Sequence, residues 1–305
     1  MPAPRDVVAA VDVGGTRVKA ALVTRPLDVL AELTAPTPYD IGRDIGATVA
    51  NVVSGLLSTT AAEDRPVRLA GCGVVVPGLV DEGAGVGRYS VNLRWRDLPV
   101  RDAVASRTGL ATVVGHDVRA GLLAETRLGA ARGARNAVFI PIGTGIAGAL
   151  MLDGAVVSAD GWAGELGHLV VDSSGPVCPC GQRGCLETIS SAASVERAYA
   201  AEAGTPLSAE EIAIRAAAGE AAAARVWARA VAALASAIVT TVTLTGVELV
   251  LIGGGLGQSA DILLAPLRTD VRGRLTWQRA PRIERAGLGD RAGTLGAACL
   301  AWDAL

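Results

Sequence analysis

The sequence predicts a duplicated α/β fold with a cleft between its two halves. Three strand-like runs open the chain, at Val7–Asp12, Val18–Val23 and Leu30–Ala35, and a Gly-Gly turn separates the first two. A second series of three runs, again with glycines between its first two members, occupies Ala137–Ile142, Gly148–Leu152 and Ala155–Val157. A helix and a further strand are predicted to follow in each half, so the same βββ-then-αβ unit occurs twice.

The intervening segments predict helices and buried strands. In the first half, helices are expected over Arg43–Ser58, Arg101–Thr108 and Val118–Ala131, and strands over Val67–Val76 and Thr112–Gly115. Asp117 is expected to cap the third helix. The second half is expected to contain helices over Ser194–Ala203, Ser208–Ala217 and Glu220–Thr245, a strand over Leu249–Ile252, a helix to about Arg272 and a strand near Arg282–Ala286.

These elements predict two domains. A small N-terminal α/β domain covers residues 1–116 and is joined by a C-terminal helix over 291–305. A large α/β domain covers residues 117–290 and carries a cysteine-rich loop over 164–188. A chain of 305 residues is long enough for two domains of ordinary size.

Composition excludes several classes of partner. A formal net charge of −2 gives no basic surface for nucleic acid. The uncharged run Ala230–Val247 approaches the length of a membrane span, but its threonines, serine and alanines favour a buried helix. Five cysteines, an odd number, fit a reducing compartment, and no apolar signal-peptide core opens the chain. We therefore expect a cytoplasmic protein without membrane or nucleic-acid partners.

A cluster of three cysteines and one histidine predicts a metal site. His168, Cys178, Cys180 and Cys185 lie within eighteen residues and form a complete tetrahedral ligand set for structural Zn²⁺. A closed site of this kind leaves no position for substrate. The alternatives are a disulfide with a spare thiol or three unrelated buried cysteines, although Cys178 and Cys180 are too close for an unstrained mutual bridge.

Two glycine-threonine turns predict phosphate binding. Gly14, Gly15 and Thr16 follow the first strand, where backbone amides and the threonine hydroxyl can face a phosphate. Asp12, at the strand end, could bind a Mg²⁺ ion that bridges phosphates. A simple hairpin turn is the alternative interpretation. Lys19, the only lysine, follows this turn and is included among the predicted phosphate-binding residues.

The second turn lies in the matching place of the second half. It consists of Gly143, Thr144 and Gly145 between two apolar strands. Two such turns facing a cleft describe a nucleotide clamp. A glycine triplet, Gly253, Gly254 and Gly255, follows the buried strand Leu249–Ile252. Its lack of side chains suits close approach by the nucleoside.

A carboxylate follows the strand at the end of the first half. Transfer of a phosphoryl group to a hydroxyl needs an acceptor for the hydroxyl proton. Asp117, preceded by His116, is the residue predicted to be that base.

Together these motifs resemble the ROK family of repressors, open reading frames and sugar kinases, and within it the bacterial glucokinase type. The resemblance spans nearly the whole chain. It is carried by Asp12–Thr16, by the run from Gly143 to His168, and by the cysteine cluster through Glu187. The cluster is highly specific to the family, whereas Asp12–Thr16 is shared with other ATPases of the actin-like clan.

The resemblance implies two ribonuclease-H-like domains, ATP with Mg²⁺, and a hexose in the cleft. It assigns Asp117 as the catalytic base. It also implies that the sugar hydroxyls contact Asn92, Glu165, His168 and Glu187, with His168 shared with the zinc site. Homodimers or homotetramers are the assemblies it implies.

Three positions depart from the family pattern. His116 replaces the usual asparagine, whose amide helps to bind sugar hydroxyls, and we include His116 among the expected substrate-binding residues. Ala147 replaces the usual third glycine of the second phosphate turn. Arg94 and Arg96 follow Asn92, where they could contact an anionic group or face solvent.

The resulting expectation is a kinase that phosphorylates the 6-hydroxyl of glucose. Other hexoses or N-acetylhexosamines, such as N-acetylmannosamine, N-acetylglucosamine, fructose, mannose and allose, are alternatives, and polyphosphate is an alternative donor. A sugar-sensing protein without catalysis is the alternative from another class. Asp12 lies about a dozen residues from the start, which leaves no room for the helix-turn-helix domain of the family's repressors.

Overall fold

The computed structural model describes residues 4–62, 66–258 and 260–305. The chain divides into two compact units. The first unit comprises residues 1–124, 158–162 and 290–305, and the second comprises 125–157 and 163–289. This division differs from the predicted one, because residues 117–124 and 158–162 belong to the first unit.

The first unit is built on a five-stranded mixed sheet. Its strands are β1 (Arg5–Val13), β2 (Arg17–Thr24), β3 (Val29–Pro36), β4 (Val67–Val76) and β8 (Thr112–His116). Their order in the sheet is β3-β2-β1-β4-β8. The first three strands pair antiparallel, whereas β1, β4 and β8 run parallel. The carboxyl ends of β1, β4 and β8 therefore meet at one edge of this sheet.

Helices cover both faces of the first sheet. They are α1 (Ile45–Ala62), α2 (Val100–Thr108), the start of α3 (Asp117–Leu128) and α10 (Ala292–Asp303). Alternate residues of β1 enter two different cores: Val7 and Val11 pack in the core that includes α1, and Val8 packs in the core that includes α10. Because both faces are buried, β1 is continuously apolar and does not alternate.

A small second sheet in the first unit was not anticipated from the sequence. It contains β5 (Leu79–Asp81), β6 (Val86–Ser90) and β7 (Trp95–Leu98), paired antiparallel. The strands are three to five residues long. Such short runs lack the sustained apolar alternation that identifies a strand.

The second unit repeats the topology of the first. Its strands are β9 (Ala137–Pro141), β10 (Ala149–Leu152), β11 (Ala155–Val156), β12 (Leu249–Gly253) and β13 (Arg282–Arg285). The order is β11-β10-β9-β12-β13, again with two antiparallel pairs followed by two parallel pairs. The duplication predicted from the sequence is confirmed.

The helices of the second unit surround a single large core. They are α4 (Glu187–Ser190), α5 (Ala192–Ala203), α6 (Ala209–Ala217), α7 (Ala221–Thr245), α8 (Gly254–Gln258) and α9 (Ala260–Arg274). The helix predicted after the glycine triplet corresponds to α8 and α9, and residue 259 between them lies outside the described residues.

The α7 helix occupies the centre of that core. Leu234 and Ile238 are buried, as predicted for the uncharged run, and Trp227 before that run is buried as well. Within the described residues it is the one helix long and apolar enough to cross a membrane by length and composition, a test that a core helix also meets.

Glycines permit close packing of α10 on the first sheet. A Cβ atom at Gly73 in β4 would overlap the carbonyl oxygen of Ala297 in α10. A Cβ atom at Gly296 would likewise overlap the carbonyl oxygen of Ala120 in α3. Backbone oxygens cannot rotate away as a side chain can, so a methyl group at either position forces the elements apart.

We expect Gly73→Ala to lower the stability of the first unit by about 2–3 kcal/mol, because the overlap must be relieved by a shift of α10. Calorimetric unfolding measures this loss. Gly273→Ala in α9 is the matched control, because a Cβ atom there meets nothing within 4 Å. Equal stability of the two variants would contradict the packing argument.

Candidate active site

The first unit gathers the predicted site residues at the carboxyl edge of its sheet. Asp12 pairs with Val75 near the end of β1, and His116 pairs with Val76 at the end of β8. Asp117 begins α3 directly after β8. Parallel pairing thus brings two residues that are 105 positions apart in sequence, Asp12 and Asp117, to one edge.

The first phosphate turn is a braced hairpin between β1 and β2. The Gly14 N–H donates to the Arg17 carbonyl oxygen at 3.0 Å. Thr37 holds the turn from the side, since its hydroxyl donates to the Gly14 oxygen at 2.7 Å and its N–H donates to the Thr16 oxygen at 3.0 Å. Thr37 was not singled out from the sequence, because no motif links it to the turn.

Asn92 lies against this turn. A Cβ atom at Gly15 would be 3.4 Å from the Asn92 Cβ. The structure therefore brings Asn92 to the same edge as the phosphate turn. The two arginines that follow are exposed and stack on tyrosines, with the Arg94 guanidinium 3.8 Å from the Tyr39 ring centroid and that of Arg96 4.9 Å from Tyr89.

Asp12 is buried in an electrostatically unfavourable position. The pKa of its carboxyl is raised to about 7, mainly by desolvation and also by the nearby Asp117 charge, while Lys19 opposes the shift. A Cβ atom at Gly293 would overlap the Asp12 carboxylate. The site therefore requires a glycine at the start of α10 so that this carboxylate has room.

Lys19 is already paired in the structure. Its Nζ donates to the Asp290 carbonyl oxygen at 3.0 Å and lies 3.2 Å from Asp290 Oδ2. Its predicted phosphate-binding role stays a prediction. The geometry shows that Lys19 also ties β2 to the segment that leads into α10.

The expected helix cap at Asp117 is corrected by the structure. Asp117 is the first residue of α3, and the preceding His116 Nδ1 accepts the N–H of Arg119 at 3.3 Å. Asp117 Oδ1 instead accepts the adjacent Val118 N–H at 2.8 Å. The imidazole thus takes the capping bond that a short carboxylate usually accepts.

In the second unit, the two predicted glycine segments interlock. The Ile142 N–H donates to the Gly253 oxygen at 2.9 Å, and the Leu256 N–H donates to the Ile142 oxygen at 3.2 Å. Gly254 has a φ of +76°, and a Cβ atom there would overlap the Ile142 backbone. The Gly143–Gly145 turn and the triplet are therefore parts of one backbone arrangement at the carboxyl edge.

Glu187 is bonded to the second phosphate turn. Its Oε2 accepts the N–H of Ile146 at 2.8 Å. A Cβ atom at Gly145 would lie 2.5 Å from the same oxygen. A side chain at position 145 would displace this carboxylate, so Gly145 and the residue that opens α4 are packed together.

The Gly164–His168 segment runs alongside the second turn. The Gly148 N–H donates to the Gly164 oxygen at 2.8 Å, and Gly167 packs against the Ile146 oxygen. The Glu165 side chain is half exposed. Glu165 and His168 also line a cavity of about 320 Å³ whose other walls are mainly apolar.

The predicted metal ligands converge in the second unit. One ligand atom from each of His168, Cys178, Cys180 and Cys185 lies within 4.8 Å of all the others. Cys178 Sγ is 3.6 Å from His168 Nδ1, and Cys180 Sγ is 3.6 Å from Cys185 Sγ. Ligands bound at about 2.3 Å to a tetrahedral ion are separated by about 3.7 Å. The donor set and its spacing fit Zn²⁺.

The loop geometry supports this convergence. Gly181 and Gly184 have φ values of +95° and +74°, a backbone conformation that favours glycine. His168 presents its Nδ1 to the sulfurs, while its Nε2 lies 3.9 Å from Glu165 Oε2. The two ring nitrogens thus face different groups, which makes a metal contact and a substrate contact compatible on one side chain.

The pKa values of two thiols in the cluster are shifted in opposite directions. Burial raises the pKa of Cys185 to about 12, whereas a backbone hydrogen bond involving Gln182 lowers the pKa of the exposed Cys180. A zinc ion would bind Cys185 with loss of its proton.

Glu125 is a buried carboxylate that the sequence did not single out. Its Oε2 accepts from the N–H groups of Ala130 and Gly287, and its Oε1 accepts from that of Leu288. It ties the end of α3 to the segment after β13. One acidic residue on a helical pattern carries no signal that distinguishes this role.

The family model named ROK family matches residues 8–304. The chain belongs to the ROK family. The glucokinase of Thermotoga maritima is 32% identical over 97% of this chain and 98% of its own length. The N-acetylmannosamine kinase of Citrobacter koseri is also 32% identical, over 96% of this chain and 97% of its own.

The fold is similar to that of a solved family member. The ROK family glucokinase from Streptomyces griseus, crystallised in complex with glucose and AMPPNP, matches with a TM-score of 0.81 at 25% identity. The match covers 97% of this chain and 99% of that one.

We expect Asp12→Asn to stabilise the protein at pH 8 in the presence of a chelator. Because the folded state raises this pKa to about 7 from 3.8, ionisation of Asp12 costs stability as the pH rises from about 4 to 7. The asparagine removes that cost, which is on the order of 2–4 kcal/mol above pH 7. Thermal unfolding from pH 4 to pH 8 measures it.

The advantage of Asp12→Asn should fall below about 1 kcal/mol near pH 4, because that pH is close to the unfolded pKa of 3.8 and the folded carboxyl is protonated there. Asp102→Asn, at an exposed position of α2, is the control and should show no such trend. A pH-independent difference for Asp12→Asn would contradict the stated cause.

Proposed function

We propose that the protein is an ATP-dependent hexose kinase that phosphorylates the 6-hydroxyl of glucose. One observation carries the proposal: Asp117 lies at the same sheet edge as the Gly14–Thr16 turn and Asp12. A carboxylate beside a phosphate-facing turn is the arrangement that phosphoryl transfer to a hydroxyl needs. The similarity to glucokinases over nearly the whole chain supports glucose as the substrate.

Asp117 is proposed as the general base. The 6-hydroxyl oxygen attacks the γ-phosphorus, its proton passes to the Asp117 carboxylate, and the bond between the γ-phosphorus and the β,γ-bridging oxygen breaks to release ADP. Amides at Gly14–Thr16 and Gly143–Gly145 are proposed to offset charge on the phosphates.

Mg²⁺ would neutralise charge on the phosphate oxygens. Asp12 is the residue proposed to bind it, directly or through water. Its buried carboxylate fits a cation, because a cation nearby would favour the ionised form that burial disfavours. The glycine triplet at 253–255 is proposed to lie against the nucleoside.

Sugar hydroxyls are proposed to contact Glu165, His168 and Glu187 in the second unit and Asn92 in the first. Glu187 uses one carboxylate oxygen for Ile146, so Oε1 is its oxygen for a hydroxyl. His168 would use Nε2, since its Nδ1 faces the cysteines.

A structural zinc is proposed to be bound by His168, Cys178, Cys180 and Cys185. The four ligand atoms lie within 4.8 Å of one another, and two of the pairs are 3.6 Å apart, close to the separation in a tetrahedral site. Such an ion would fix the orientation of the His168 ring. It would also order the segment that ends at Glu187, and through Glu187 the second phosphate turn.

N-acetylmannosamine is the second candidate substrate. The Citrobacter koseri kinase for that sugar is as similar in sequence as the glucokinase is. A coupled ADP-release assay with glucose, N-acetylmannosamine, N-acetylglucosamine, mannose, fructose and allose distinguishes them. A homodimer or homotetramer stays a prediction, as does a cytoplasmic location.

We expect Asp117→Asn to lower kcat by about 100-fold or more, because the amide cannot accept the hydroxyl proton. Sugar and ATP binding, measured by calorimetry, should persist. Asp102→Asn is the matched control and should retain full kcat. An unchanged kcat in Asp117→Asn would show that Asp117 is not the general base. Sugar binding by the wild type with no ADP release on any sugar would instead favour a sensor.

Elemental analysis should find about one zinc per chain, as the tetrahedral ligand set requires. Cys180→Ser should lose most of that metal and unfold at lower temperature, with weaker sugar binding. Cys72→Ala, which removes a buried thiol outside the cluster, is the control and should retain the zinc. Fully active protein without zinc would contradict the structural role.

A further inference from the structure

His116 differs from the asparagine usual at this position, and its ring is buried. The side chain is only 8% exposed. Its Nδ1 accepts the backbone N–H of Arg119 at 3.3 Å. An unprotonated Nδ1 assigns the single proton of the neutral ring to Nε2.

The ring nitrogen that carries this proton lies close to the proposed base. His116 Nε2 lies 3.5 Å from Asp117 Oδ1. The same oxygen accepts the Val118 N–H at 2.8 Å. Both neighbours therefore act on Oδ1, and Oδ2 is the oxygen positioned to take a proton from a hydroxyl.

A partly buried ion pair fixes the residues on both sides of Asp117. Glu82, in the turn between β5 and β6, accepts the backbone N–H of His116 and the Arg119 Nε–H, each at 3.0 Å. The Arg119 side chain is 3% exposed, and its Nη1 donates to the Gly161 oxygen at 3.4 Å. The His116 backbone is thereby anchored to the turn between two strands of the small sheet.

We propose that His116 is a positioning residue that orients the Asp117 carboxylate through its Nε2–H, and that it is not a sugar ligand. The proposal rests on the proposed function of Asp117 as base. It replaces the sequence-based expectation that His116 binds a sugar hydroxyl. In this site both ring nitrogens face protein groups, one on the α3 backbone and one on the base.

Two substitutions separate positioning from bulk. His116→Leu fills much of the ring volume without a nitrogen, whereas the longer His116→Gln can present an amide N–H near the position of Nε2. We expect His116→Leu to lower kcat by about tenfold or more while the KM for the sugar changes by less than about twofold. His116→Gln should recover most of the lost kcat.

Val114→Ala is the control for simple destabilisation. Val114 is buried in β8, the strand that ends at His116, and faces the core. Its variant should unfold at lower temperature with kcat per folded molecule unchanged. A raised sugar KM with unchanged kcat in His116→Leu would make His116 a sugar ligand. Equal kcat losses in all three variants would make its role merely structural.

The tautomer provides a test that does not depend on turnover. The chain has two histidines, so nitrogen NMR spectra of the imidazoles are assigned by comparison with His116→Gln. We expect the His116 proton on Nε2 and a changed Nε2–H resonance in Asp117→Asn. A proton on Nδ1 would overturn the proposal. If the wild type phosphorylates no sugar yet shows these spectra, the proposed function fails while the contact stands.

Discussion

Parallel pairing of β1, β4 and β8 is the constraint on which the site depends. It brings the carboxyl ends of strands far apart in sequence to one edge, and so brings Asp12 near Asp117. The same pairing of β9 with β12 brings the second turn to the glycine triplet. Burial of Asp12 at this edge is unfavourable for an isolated carboxylate, and a bound cation would relieve it.

The cysteine cluster acts on the site through the backbone. Its four ligands lie in a loop that leads directly into α4, whose first residue, Glu187, bonds to the Ile146 amide. The cysteine loop and the phosphate turn are therefore connected within one unit. This connection gives the proposed zinc a consequence beyond local stability, since a distorted loop would displace the carboxylate that packs on Gly145.

A small network of hydrogen bonds surrounds Asp117. Glu82, in the turn between β5 and β6, accepts the His116 N–H and the Arg119 Nε–H. Within the described residues of the second unit, no three-stranded sheet like that of β5, β6 and β7 occurs. His116, which stands where the family usually has asparagine, is therefore held by hydrogen bonds to the protein on both its backbone and its Nδ1.

The sequence alone determined the duplicated unit, the order of most elements and the residues of the metal cluster. Those signals are local: apolar periodicity, glycine turns and ligand spacing. It did not reveal the small sheet, whose short strands lack alternation, nor the network of Glu82, because a single acidic residue in a turn carries no pattern. The roles of Glu187 on the Ile146 amide and of His116 as a helix cap were decided only by tertiary structure. The physical reason is that each depends on a hydrogen bond to a backbone group whose position is set by packing.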